Sequence, residues 1–236
     1  MSRAGIFASA YVAPASGGST YRDLVLEDSP FMYFPLDDAT TPTDVMGNVT
    51  PNQVQSVTMG AAGIGDGATS AQFDGGAASR GIRIPAAQLP NMSTLTSFAA
   101  EAIAAADNMS AQRAFFARDS AFLVRHTSAA LVDPFTGLGW ANRIGASGYP
   151  EGAPTAIHHW AIVWDGSTAR LYRDGAVVLS EAQAGTPASA STNNLYIGAR
   201  EATDLTFLGR IAGFAFYTHS LSAARVLAHA QAAGVA

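Results

Sequence analysis

The sequence predicts an all-β fold, an antiparallel sandwich of two sheets, and three observations carry that expectation. Residues 157–217 read as a meander: HHWAIVW, ARLYR and AVVLS are joined by the tetrad Asp165, Gly166, Ser167, Thr168 and by the pair Asp174, Gly175. Asp tolerates a left-handed backbone and Gly adopts it without a Cβ clash, so Asp-Gly between apolar runs signals a hairpin turn. Period-2 spacing then sets Trp160, Ile162 and Trp164 on one face and His159, Ala161, Val163 and Asp165 on the other, with one face expected as core. Finally, short strand-like runs bounded by Gly, Pro, Asn and Asp recur along the chain, a spacing that favours a sandwich.

Taken in order, residues 1–20 are apolar and rich in small residues, and read as an extended arm ahead of a single domain at 21–236. The opening MSRAGIFASAYVAPAS has the early Arg and small residues of an export signal, but Ser9 breaks its short apolar run, so an arm is expected instead. Tyr21 to Asp28 has helical spacing and is stopped by Ser29-Pro30. FMYFPLDD follows as a strand that Pro35 confines to an edge or a bulge. Val54 to Met59, Ala71 to Asp74 and Gly81 to Ile84 are short strand candidates.

Ser97 to Ala106 has the alanine content of a helix, yet we read a central strand, since tertiary context overrides propensity. Arg113 to Arg118 and Ala121 to His126 make a hairpin about Asp119-Ser120, and Leu131 to Pro154 a strand and a long exposed loop. After the meander come two further strands, in NNLYIGA and RIAGFAFY. The chain closes on a helix over Ser222 to Ala233, capped by Ser220 or Ser222 and ended by Gly234.

Composition narrows the functions. Charged residues are 13% of 236 and the net charge is −5, so nucleic acid is not expected as a partner. There is no cysteine, which removes disulfides, thiolate metal sites and cysteine nucleophiles, and no lysine, which removes a Walker A phosphate site. No run approaches the ~20 apolar residues of a membrane span.

The order H-W-x-x-x-W-D-G-S-x-x-R-L-Y-x-D-G, then N-L-Y-I-G, then F-x-G-x-I-x-x-F-x-x-Y and S-L-S-A-x-R-V resembles the second half of a laminin-G-like, concanavalin A-like lectin/glucanase domain. Upstream, FPLDD, QFDG and LTSFAAEA are similar to earlier strands of such domains. The resemblance implies a two-sheet antiparallel jelly-roll sandwich, with short N-terminal and C-terminal helices added by the reading above, in a family used for binding more than for catalysis.

Hydrolases on this fold carry a Glu-x-Asp-x-Glu strand that aims alternate carboxylates at one substrate. Glu27, Glu101, Glu151, Glu181 and Glu201 are too far apart for it, so no enzyme is expected. His158 and His159 are adjacent on a strand, point to opposite faces and read as packing beside Trp160 rather than as metal ligands. No cofactor is expected; calcium stays open through Asp37, Asp38, Asp44, Asp66 and Asp74, which also sit where turns need them.

Sugar binding needs an exposed aromatic plane flanked by polar groups. Trp140, Asn142, Arg143 and Tyr149 are the candidate platform, while Trp160 and Trp164 are expected in the core. Lectin-like sandwiches with a small-residue arm and the opening Tyr21-Arg22-Asp23-x-Val25-Leu26-x-Asp28-Ser29-Pro30 resemble structural proteins of tailed bacteriophages.

That resemblance implies a virion location, as a capsid decoration or minor tail protein in an oligomeric assembly with other virion proteins. The arm would dock through Ile6, Phe7, Tyr11 and Val12, and the exposed loops would adhere to host-surface glycans. The alternatives are a free carbohydrate-binding module or adhesin and, below it, a glycoside hydrolase with an atypical site.

Overall fold

The computed structural model describes residues 19–65, 69–76, 81–128, 131–136, 143–145, 147–151, 155–185, 187, 192–201 and 205–236. The arm residues Ile6, Phe7, Tyr11 and Val12, and Trp140, Asn142 and Asp66, lie outside these described residues.

Helix α1 (Tyr21–Glu27) opens on a capping box: the Thr20 hydroxyl accepts from Asp23 N–H and the Asp23 carboxylate accepts from Thr20 N–H. The strands are β1 (Met32–Phe34), β2 (Gln53–Gln55), β3 (Val57–Ala62), β4 (Thr69–Asp74), β5 (Gly81–Ile84), β6 (Phe98–Ala106), β7 (Arg113–Arg118) and β8 (Phe122–His126). They continue as β9 (Leu131–Thr136), β10 (Tyr149–Pro150), β11 (His158–Trp164), β12 (Thr168–Arg173), β13 (Ala176–Ala182), β14 (Leu195–Ile197) and β15 (Leu208–Tyr217). Helix α2 (Ala223–Ala232) is capped by the Ser222 hydroxyl.

Among the described residues, sheet A runs β13-β12-β11-β6-β15-β4-β3, with β1 also on β15; sheet B runs β10-β9-β8-β7-β14-β5-β2. Every described pairing is antiparallel. Ser97 to Ala106 is the central strand β6 rather than a helix, and β1, before Pro35, is a three-residue strand with one partner.

Two expectations are corrected. Val54 to Met59 is not one strand: the chain turns at Ser56, φ +57°, and passes from β2 in sheet B to β3 in sheet A. On β11 both faces are core, not one. Trp160, Ile162 and Trp164 fill the space between the sheets, while Ala161 and Val163 pack beneath α1 and α2, which cover the other face of sheet A.

Alanine makes that second layer fit. Ala99, Ala105, Ala161, Ala212 and Ala215 present small surfaces on which Tyr21, Val25, Leu221 and Val226 seat the helices. The alanine content that mimics a helix in β6 thus serves close approach on both sides of a strand. No helix among the described residues is long and apolar enough to cross a membrane.

Candidate functional site

Strands β9 and β10 form one edge of sheet B, with Tyr149 opposite Val132 and Pro150 opposite Leu131. Val132 is buried in the inter-sheet core and Tyr149 packs on that core, so Tyr149 faces inward. Its strand neighbour Asp133 faces outward by alternation, and there it gathers Arg143 and Arg125, the latter at 3.5 Å. Arg125 Nη1 also donates to Gln112 Oε1 over 3.2 Å. Gly148, φ +72°, passes so close that a Cβ would meet the Asp133 carboxylate and the Arg143 guanidinium. Of the four platform residues, the two described ones therefore flank the same strand from opposite sides.

On the inner side, Arg173 at the end of β12 lies over the Tyr149 ring, 5.7 Å from its centroid, and 6.0 Å from the Trp160 ring. Hairpin register brings it there, since Arg173 pairs with Trp160. His158, which opens β11 on the same face, sits between two charged groups: Nδ1 is 2.7 Å from Asp174 Oδ2 and Nε2 is 2.9 Å from Arg173 Nη2. The tautomer with hydrogen on Nδ1 satisfies these two contacts, Nδ1–H donating to the carboxylate and Nε2 accepting from the guanidinium, but not a third, in which Arg173 Nε–H is aimed at Nδ1 over 3.2 Å. Asp174 Oδ1 also accepts the His159 N–H at 2.9 Å, and Arg173 Nε stands 3.4 Å from Asp174 Oδ2.

Glu151 follows Tyr149 by two residues, just beyond the end of β10. It is 2% exposed, and among the described residues its Oε2 has no hydrogen-bond partner. Burial pushes its carboxyl up to about 7, with the positive charge of Arg173 pulling the other way. The side chains of Arg173 and Asp174 are each 22% exposed, so the group opens to solvent along them. It can thus offer an aromatic surface, a guanidinium, the Asp174 side-chain oxygens and a carboxyl able both to donate and to accept.

Sequence reasoning named Tyr149 here but missed Glu151, His158, Arg173 and Asp174. Asp174-Gly175 was read as a turn, which it is, with φ +51° and +81°. The signal that was there to use is the hairpin itself, which must bring the first residue of HHWAIVW beside the Arg-Asp of YRDG.

A second polar cluster is closed. Glu101, on β6, accepts from Tyr217 Oη at 2.7 Å, His159 Nε2 at 2.9 Å and His229 Nδ1 at 2.9 Å. His229 Nε2 stands 3.0 Å from Asp28 Oδ2, off the hydrogen-bond line but close enough for charge to act. Burial alone would raise the Glu101 carboxyl, but the His229 charge and the imidazole donors outweigh it and hold Glu101 well below the usual carboxylate range. His229 is raised: burial would lower it, and the Glu101 carboxylate reverses the sign. Glu101, His159 and His229 are fully buried beneath α1 and α2, so this cluster ties the helices to the sheet.

Four of the carboxylates considered for calcium, those among the described residues, make other contacts. Asp44 accepts four backbone N–H groups, from Tyr33, Met46, Asn48 and Val49. Asp38 accepts from Thr43 N–H, Asp74 from Gly76 N–H, and Asp37 faces Arg22 at 3.5 Å. Among the described residues no group of three or more His, Asp or Glu is placed to hold a metal ion.

The profile of one family, the concanavalin A-like lectin/glucanases superfamily, matches residues 74–227, more than half of the chain. The chain belongs to the concanavalin A-like lectin/glucanase superfamily.

Solved structures with this fold include Trypanosoma rangeli sialidase, 14% identical, with a TM-score of 0.62 over 84% of this chain and 32% of that one. Domain 4 of AbnA, a GH43 extracellular arabinanase from Geobacillus stearothermophilus, in complex with arabinotriose, is 15% identical, with a TM-score of 0.62 over 86% of this chain and 98% of that one. The botulinum neurotoxin serotype G binding domain is 14% identical, with a TM-score of 0.61 over 86% and 51%. The chain thus spans about a third of the sialidase, and at these identities the likeness is one of fold. No curated protein matches the sequence significantly. Concanavalin A-like sandwiches carry many functions on one scaffold, so the function of this one must be argued from its own side chains.

Proposed function

We propose that this chain is a non-enzymatic glycan-binding protein of a tailed-bacteriophage virion, a capsid decoration or minor tail protein whose jelly roll faces outward. The observation that carries glycan binding is the Tyr149 ring at the end of the sandwich, with Arg173 over it, the Asp174 carboxylate beside Arg173 and Glu151 two residues away. Tyr149 is half-buried, so the part of its ring left open by the core and by Arg173 can meet a sugar while the groups beside it exchange hydrogen bonds with hydroxyls. The non-enzymatic part is supported by the absent Glu-x-Asp-x-Glu strand and by Glu101, which is walled in by three donors and two helices.

Virion attachment is supported by the bacteriophage-like opening Tyr21 to Pro30 and by the apolar arm with Ile6, Phe7, Tyr11 and Val12. An arm ending at Thr20 would start from a rigid point, because α1 is capped by Thr20 and held by Tyr21 Oη donating to Gly213 O at 2.8 Å. Burying each large arm side chain against a neighbour would contribute about 1.5 to 3 kcal/mol. A free carbohydrate-binding module is the second reading, favoured by the match to nearly all of the arabinanase domain solved with arabinotriose.

Two experiments test these readings, and the second separates them. Glycan-array binding by the full chain tests the shared claim, and absence of binding to every sugar would sink it. Antibody labelling of purified phage particles tests the location. Particles that carry the chain, and lose it when residues 1–19 are deleted, support arm docking; unlabelled particles favour the free module.

A further inference from the structure

Glu151 is the buried carboxyl for which the scaffold has no evident use. A buried acid without a partner costs stability, and a fold retains such a group where something else supplies the missing contact. Its surroundings say what that is. Glu151 follows β10 directly, two residues after Tyr149, and Arg173, which covers the Tyr149 ring, is close enough for its charge to act on Glu151. Arg173 is already balanced by Asp174 at 3.4 Å and engaged with His158 at 2.9 Å, so it leaves no full positive charge for an anion. Trp160 Nε1, also on this inner face and also near Arg173, has no acceptor among the described residues.

The groups left over are therefore a carboxyl oxygen, a neutralised guanidinium and aromatic rings. Hydroxyls suit all of them, each able to donate to one neighbour and accept from another. An acidic sugar would instead set its carboxylate against those of Asp174 and, once ionised, Glu151.

We propose that Glu151 is a ligand-binding residue whose carboxyl group takes a hydroxyl pair of a neutral sugar laid against Tyr149 and Arg173. This rests on the glycan-binding reading above and adds the sugar class and the residue that selects it. Among the described residues the charge that acts on Glu151 is that of Arg173, from β12, and Arg173 in turn meets Asp174 beside it, His158 from β11 and the Tyr149 ring from β10. A carboxyl group binds such a pair best when protonated, donating to one oxygen and accepting from the other. Its affinity then falls as the group ionises, whereas a glutamine in its place keeps a donor and an acceptor at every pH.

The test uses the full chain on a printed array of neutral and uronic-acid oligosaccharides, followed by calorimetric titration of the strongest neutral sugar at pH 6 and pH 8.5. Expected are a preference for neutral sugars, a fall in affinity of about tenfold at pH 8.5, a pH-independent affinity for Glu151→Gln, and a loss of at least tenfold for Glu151→Ala at pH 6. A wild type that binds only acidic sugars overturns the inference and leaves the glycan reading standing. So does binding by Glu151→Ala at wild-type strength, or a Glu151→Gln variant that keeps the alkaline fall. A wild type that binds no sugar overturns both.

Discussion

Glu101 and His229 meet with 2.9 Å between Oε1 and Nδ1, joining the central strand of sheet A to the C-terminal helix. Both are fully buried, and the pair is extended to Tyr217, His159 and Asp28. Removing such charges from water costs several kcal/mol for each ion, so the pair persists only because every carboxylate oxygen has donors. The contact sets where α2 sits, and α2 with α1 is what makes sheet A buried on both faces.

Replacing Glu101 by Ala is expected to destabilise the protein by about 3 to 5 kcal/mol, because His229 and the Tyr217 hydroxyl are left buried without their acceptor. Glu101→Gln should lose less, since an amide oxygen still accepts. Urea unfolding of the three proteins measures this, and an Ala variant within 1 kcal/mol of wild type would show the network to be incidental.

The same cluster gives stability a defined pH profile. His229 is raised in the folded state, so its contribution is complete below its unfolded value of about 6.5 and is lost as pH rises through the higher folded value. Glu101 is depressed, so its contribution is present above about 4.3 and is lost as pH falls through its folded value. Melting temperature should peak between these limits, and His229→Gln should flatten the alkaline limb. An unchanged alkaline limb in that variant would assign the loss to another group.

Gly213 is at φ +64° in the irregular step of β15 between Ala212 and Ala215, and a Cβ there would strike the Tyr21 ring. Gly213→Ala should therefore destabilise by about 1 to 3 kcal/mol, through backbone strain and displacement of the buried Tyr21. Hydrogen exchange should show α1 loosening more than β11. Uniform loss of protection across both would mean that α1 is not separately anchored.

Much of the fold was legible in the residues because its causes are local. Asp-Gly turns and two-residue alternation placed β11, β12 and β13, and Ser222 with Gly234 bounded α2. What escaped depends on distant partners. The second buried face of β11 exists only because helices from the two ends of the described chain cover it, and no pattern within HHWAIVW encodes them. The break between β2 and β3 hangs on one positive φ at Ser56, a residue whose identity does not demand it.

The candidate site divides the same way. Tyr149 could be named from its type and its loop, but Glu151, His158, Arg173 and Asp174 become a group through strand register. Arg143 looked like a neighbour of Tyr149 and instead holds Asp133 on the outer face.

The central claim is that the Tyr149 and Arg173 end of this sandwich binds glycans. Its most direct test is calorimetric titration of the full chain and its Tyr149→Ala variant with the best sugar from a glycan array, with the melting temperature of both as control. Affinity is expected to fall about tenfold or more in the variant while the fold stays cooperative. Equal affinity in the two folded proteins would contradict the account.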